Sequence, residues 1–263
     1  MGLDHVVVSR RQVLRLGSWV GAAAVPRFGI AAASRPGDRE VIFYSPHPDD
    51  ETLTLGVLVA SHVLAGRKVH VVLFTDGRDS RAFPVVNARL KAEHRAPLTR
   101  AQFGAARVRE CRAACAALGV PSANVHFEGL TAVTVANATA VIRSYQRRFP
   151  DAGHYAISWT DTFAAHGNLG EALRRLRRAD PKTYFDTRWG VSRLHWGEPA
   201  VHACRPWSST STAAARARVG AAVASYDVWS PAHGRYRISY TSVAPQFRAL
   251  KADVRSMLHG PPP

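Results

Sequence analysis

The chain is short of acids, of cysteine and of long apolar runs. Only 19 Asp and Glu stand against 35 Lys and Arg in 263 residues, a formal charge of +16. Such a charge suits a disordered chain only when hydrophobicity is low, and 46 % of these residues are hydrophobic, so a folded chain is expected. Collagen-like and coiled-coil classes are excluded by the same composition. Three cysteines are an odd count, from which no disulfide framework follows. No uninterrupted apolar stretch reaches the roughly 20 residues that span a bilayer. At this length one core buries roughly 70–75 % of the extended chain's surface, enough for stability without disulfide or structural metal.

The N-terminus carries Ser9-Arg10-Arg11-Gln12-Val13-Leu14-Arg15 ahead of an Ala/Gly-rich run that ends at Ala31-Ala32-Ala33. This is the pattern of a twin-arginine export signal, with Val13 where Phe is commoner and Arg27 interrupting the apolar run. Residues 1–33 are therefore expected to be removed, leaving one domain over 34–263 that is secreted or envelope-associated and has no transmembrane segment. Residues 1–40 hold six Arg and three acids, so +13 belongs to the rest. Within it, residues 41–66 have three acids and no Lys or Arg. The basic remainder reads either as a solvated Arg-rich surface or as a face for polyanions, an anionic cell-envelope polymer being the candidate partner. Nucleic acid is not expected, because no aromatic-interleaved basic stretch or binding motif accompanies the charge.

Short apolar runs alternate with helix-length segments. Val41–Tyr44 reads as a buried strand, Thr52–Leu64 as a helix, and Lys68–Thr75 as a second strand, a parallel βαβ unit. Residues 76–102 lack a period and contain Gly77, Pro84 and Pro97, the composition of a long functional loop. Beyond it come a helix at Arg107–Leu118, a strand at Val125–Phe127, a helix at Ala136–Phe149, a strand at Tyr155–Trp159 and a helix at Leu169–Arg178. The last third mixes β-like pieces at Val191–Trp196 and Tyr236–Tyr240 with helices at Ala213–Tyr226 and Pro245–Met257. Cys111 and Cys115 share a helix face and read as small core residues rather than as ligands or a bridge. The fold class predicted is α/β, Rossmann-like, with a mainly parallel sheet and flanking helices.

In such sheets ligands bind at the carboxyl ends of the strands. The first strand runs directly into Ser45-Pro46-His47-Pro48-Asp49-Asp50-Glu51, a turn stiffened by two prolines whose φ is fixed. His47 and Asp50, three apart, are able to face one ion, while Asp49 is free to take a proton from water. Imidazole nitrogen and carboxylate oxygen suit zinc, whose catalytic sites keep three protein ligands and an open position. By spacing alone, capping of the following helix by the three acids accounts for the turn equally well.

Pro46-His47-Pro48-Asp49-Asp50-Glu51-Thr52 resembles the signature of the PIG-L/LmbE-like family of zinc-dependent N-acetylglucosaminyl deacetylases. Thr75-Asp76-Gly77 resembles the turn after that family's second strand. Arg107, Glu110, Ala114, Leu118 and Gly119 resemble its Arg-x-x-Glu helix, and 226–243 is similar to exported members. The resemblance implies His47 and Asp50 as zinc ligands, Asp49 as general base and Arg107 as a substrate contact. It implies His166 as third ligand, from its place ahead of a helix with Gly170 four residues on.

There the sequence departs from the family. Phe163 and Ala165 stand where the family has a His and an Asp flanking the third ligand. Three outcomes stay open: Asp49 moves the proton alone, another histidine (His154, His195 or His202) substitutes, or turnover is lost. Each of those histidines taken singly fits a core or surface position better. Loss of the neighbouring carboxylate predicts weaker metal binding, by about 10–100-fold. The function expected is hydrolysis of the N-acyl group of an amino sugar or glycoconjugate. The alternatives are a weakened relative that binds glycan or anionic polymer, and a deacylase of a sugar-bearing secondary metabolite.

Overall fold

The computed structural model describes residues 40–261. The predicted export signal at 1–33 lies outside the described residues.

The first element among the described residues is β1 (Glu40–Ser45), in which every residue after Glu40 is buried. Val41 and Phe43 enter one core and Ile42 and Tyr44 the other, as the two-residue period of a strand covered on both faces requires. Next come α1 (Asp50–Leu53), α2 (Gly56–Leu64) and β2 (Lys68–Leu73). The predicted helix over 52–64 is thus two pieces, because the chain breaks at Thr54 and Leu55, where the Thr54 carbonyl accepts from Ser256 Oγ at 3.0 Å.

Residues 76–102 are not one loop: α3 (Ala82–Ala92) lies inside them. Pro84 falls in its first turn, where a missing N–H costs nothing. α4 (Arg100–Leu118) starts seven residues before the predicted helix, behind a capping box between Thr99 and Gln102. β3 (Val125–Phe127), α5 (Val135–Arg148), β4 (Gly153–Ile157), α6 (Ala164–Ala179) and β5 (Thr187–Val191) follow. The predicted β piece over 191–196 closes β5 and then coils into a short 3₁₀ turn.

The last third holds α7 (Pro199–Ala203), β6 (Trp207–Thr210), α8 (Ala213–Tyr226), β7 (Trp229–Ser230), β8 (Arg235–Tyr236), α9 (Ile238–Ala252) and β9 (Arg255–His259). The predicted helix over 245–257 begins earlier, bends at Val243 ahead of Pro245, and yields to β9.

The main sheet runs β3-β2-β1-β4-β5-β9-β6. Its first five strands are parallel, while β9 lies antiparallel to both β5 and β6. Helices α2, α4 and α8 pack over one face, around Val57, Cys111, Cys115, Val219 and Tyr226. Helices α5 and α6 cover the other, around Ile142, Leu169 and Leu173. Both cysteines of α4 are free and fully buried in that first core. The connection leaving β1 and the one leaving β4 therefore diverge to opposite faces. Their divergence opens the crevice where this fold class binds ligands.

Candidate metal centre and active site

The turn after β1 is anchored from several directions. Ser45 Oγ donates to the His47 carbonyl at 2.8 Å, and Thr75 Oγ1 donates to the Pro46 carbonyl at 2.8 Å. Arg107 reaches across from α4, donating from Nη2 to the Pro48 carbonyl at 2.8 Å and to Asp49 Oδ2 at 2.9 Å, and from Nη1 to the Gly77 carbonyl at 2.7 Å. Gly77 has φ +60° and lies against that guanidinium, so no side chain fits there. Asp49 itself sits at φ 115°, a conformation that costs an L-residue energy and persists only where the surroundings enforce it. Its N–H donates to Glu51 Oε2 at 2.9 Å, and Glu51 Oε1 accepts from Tyr226 at 2.6 Å.

The other half of the Arg-x-x-Glu pattern is a brace. Buried Glu110 accepts from the N–H groups of Ile238 at 3.0 Å and Ser239 at 3.2 Å, and Ser239 Oγ donates to the Pro48 carbonyl at 3.3 Å. Beyond helix capping for Glu51, the sequence assigns Glu51, Glu110 and Tyr226 no role, since the Glu51–Tyr226 and Glu110–Ile238 contacts join distant chain segments. The resemblance implies a substrate contact for Arg107. In the structure it is 4 % exposed and its guanidinium is given to Asp49 and two carbonyls.

His166 arrives from the strand on the other side of the crevice. It lies in the first turn of α6, which starts at Ala164, and not ahead of the helix as the sequence suggests. Gly170 allows this: a Cβ there would fall closer than 3.0 Å to the Trp159 nitrogen, the Ile157 oxygen and the Ser158 carbonyl carbon. Bare backbone lets α6 lie against the end of β4.

Three donor atoms converge. His47 Nδ1, Asp50 Oδ2 and His166 Nε2 stand 3.2 Å from one another pairwise. Among the described residues they form the one group of His, Cys, Asp or Glu side chains arranged to hold a metal. A tetrahedral ion with bonds of about 2.0–2.1 Å separates its ligands by roughly 3.3–3.4 Å, so the triangle fits one. Two neutral imidazoles and a carboxylate suit zinc, and the same set also suits iron(II).

The electrostatics show the same convergence. Burial opposes a charge on His166, yet Asp50 and Asp161 beside it raise its pKa to about 10. Burial pushes Asp50 up, but His166 and His47 outweigh it and hold the carboxyl far below its usual range. His47 is lowered, chiefly by burial. Asp49 is raised well above its ordinary value by burial, against the pull of Arg107. A cation bound at the triangle requires a neutral His166 and would itself balance the Asp50 carboxylate.

The remaining predicted positions separate clearly. Phe163, in place of the family's His, is 59 % exposed, with its ring centroid 5.5 Å from that of His47 and 5.0 Å from that of His166. His154 is fully buried and bonded to Tyr44 at 2.9 Å and to Gln146, which makes it a core histidine. His202 is exposed on α7. His195 does approach the site: its Nε2 stands 3.2 Å from Asp161 Oδ1, and Asp161 Oδ2 stands 3.1 Å from His166 Nδ1. The sequence shows Ala165 in place of a carboxylate beside His166; the structure shows that Asp161 supplies one from five residues upstream.

A family model described as PIG-L, GlcNAc-PI de-N-acetylase, matches residues 42–179. The chain belongs to the PIG-L (LmbE-like) deacetylase family. The matched residues include every member of the donor triangle, together with Asp49 and Arg107. A 1D-myo-inositol 2-acetamido-2-deoxy-alpha-D-glucopyranoside deacetylase of Mycobacterium tuberculosis is 33 % identical over 144 residues, 55 % of this chain and 43 % of that protein. The chain thus matches less than half the length of that relative. The zinc-inhibited form of a teicoplanin deacetylase superposes with a TM-score of 0.55 at 14 % identity, covering 83 % of this chain and 97 % of the other. A 4-carboxy-2-hydroxymuconate hydratase of Pseudomonas putida superposes at 0.51 and 15 % identity, covering 84 % and 95 %. That PIG-L-like architecture hosts a hydratase as well, so the reaction must be argued from the site.

Proposed function

We propose that the protein is a metal-dependent hydrolase that removes the N-acetyl, or another N-acyl, group of an amino sugar or glycoconjugate. The observation that carries the proposal is the His47–Asp50–His166 triangle with the Asp49 carboxylate beside it. Zinc is the metal proposed. When bound, the ion polarises the amide carbonyl and lowers the pKa of water at the site. Asp49 takes the proton of the attacking water and returns it to the leaving nitrogen as the C–N bond breaks, giving a carboxylic acid and an amine that then exchange a proton to become carboxylate and ammonium. A buried carboxyl with a raised pKa is suited to both steps. Arg107 orients Asp49 and opposes the burial-driven rise of its pKa, which makes it a positioning residue here.

The phenyl ring of Phe163 cannot donate a proton or stabilise an oxyanion. That observation favours a second reading, a weakened relative that binds glycan or an anionic cell-envelope polymer through its basic surface. A sugar-bearing secondary metabolite is the third substrate class. Metal content by elemental analysis, with acetate release from N-acetylglucosamine derivatives at one equivalent of metal, separates the readings. Metal together with acetate supports the enzyme; metal without release from any amide supports the binder. Residues 1–33 are proposed to direct export, placing the protein outside the cytoplasmic membrane. Among the described residues no helix is long and apolar enough to cross a membrane.

A further inference from the structure

His166 is held on both sides of its ring. Nε2 joins the donor triangle, and Nδ1 faces Asp161 Oδ2 at 3.1 Å. The other oxygen of Asp161 accepts the Phe163 N–H at 2.9 Å and meets His195 Nε2 at 3.2 Å. His195 Nδ1 in turn meets Glu198 Oε1 at 2.6 Å. The Asp161 side chain is 2 % exposed and that of His195 11 %. Asp161 follows β4, whereas His195 and Glu198 follow β5, so two adjacent strands deliver the line of groups that ends at the metal site.

A histidine binds metal through one nitrogen only if its other nitrogen carries the proton, and the partner of that proton decides the tautomer. Asp161 Oδ2 is an acceptor placed on Nδ1. It leaves the Nε2 lone pair for the triangle.

We propose that Asp161, braced by His195 and Glu198, is the positioning residue that fixes His166 as a metal ligand, replacing from position 161 the carboxylate that Ala165 lacks. This rests on the metal reading of the site given above. A helix-starting turn alone explains only the Oδ1 contact with Phe163 N–H, and Asn performs that task equally well. The Oδ2 contact separates the roles. With Asn at 161, an oxygen aimed at His166 turns the amide N–H groups onto the Phe163 N–H and His195. An oxygen aimed at Phe163 instead puts an N–H against His166 Nδ1 and moves the imidazole proton onto Nε2. Either orientation loses a contact that Asp161 makes.

The test uses the full chain and zinc alone, with affinity read by competition against a chelator and thermal unfolding of the metal-free protein recorded alongside. Asp161→Asn is expected to lower zinc affinity about 10–100-fold in protein that still folds without metal, its metal-free melting temperature recording separately what the lost contacts cost the fold. His195→Gln, which keeps a donor toward Asp161, should lose less than His195→Phe. Zinc affinity of Asp161→Asn within about twofold of wild type overturns the proposal and leaves the metal reading standing. Should Asp161→Asn fail to fold, His195→Phe decides by the same criterion. A wild-type protein that takes up no zinc removes the metal reading, and this proposal with it.

Discussion

Asp49 combines a strained backbone, φ 115°, with a carboxylate buried against a guanidinium. The prolines on one side and the ion pair with Arg107 on the other oblige the turn to keep that geometry. Burial raises the Asp49 pKa and Arg107 opposes the rise, so removing the cation must raise it further. Arg107→Met should therefore move the acid limb of the kcat/KM profile to higher pH, because less Asp49 is ionised at any given pH below that limb. A pH–rate profile of the variant beside wild type checks this; an unmoved limb refutes the assignment of Arg107 to Asp49. His47, Asp49 and Asp50 are legible in the sequence because seven adjacent residues, Pro46 to Thr52, carry them. Asp161 is not, and His195 is only one of three candidate histidines, since their meaning lies in contacts across the chain that no spacing encodes.

At the scale of elements, the site depends on how closely α6 approaches the end of β4. Gly170→Ala places a methyl group against three backbone atoms that have no rotamer to escape into. The expected cost is about 1–3 kcal/mol, with a displaced first turn of α6 and hence weaker metal binding through His166. Denaturant unfolding and metal affinity measure the two effects, and a variant unchanged in both contradicts the packing argument. The parallel half of the sheet was readable because strands buried on both faces are continuous apolar runs, as in Val41–Tyr44. β6 and β9 were missed: Trp207–Thr210 is mostly exposed, and Arg255–His259 carries a charge at one end and a polar residue at the other. α3 was hidden by Pro84, a helix breaker in most positions but harmless in a first turn. The early start of α4 was available in the capping box Thr99-x-x-Gln102.

Over the whole molecule, the +13 carried by residues 41–263 includes a local acidic stretch, residues 41–66, that contains two of the proposed ligands and the base. A dication offsets those carboxylates, which gives the acidic island a chemical reason. The basic remainder fits an anionic envelope only if the protein is exported. Replacing Arg10 and Arg11 by Lys should leave the precursor in the cytoplasm, scored by fractionation. Normal secretion of that double variant contradicts export by this route.

The central claim is that the triangle binds metal and Asp49 moves the proton. Acetate release from N-acetylglucosamine derivatives, by wild type and Asp49→Asn at equal metal occupancy, tests it directly. The account predicts release by wild type and a rate lower by about 10²–10⁴-fold in Asp49→Asn with metal retained. Equal rates in the two proteins, or metal-loaded wild type that releases no acyl group from a broad panel of amides, would contradict it.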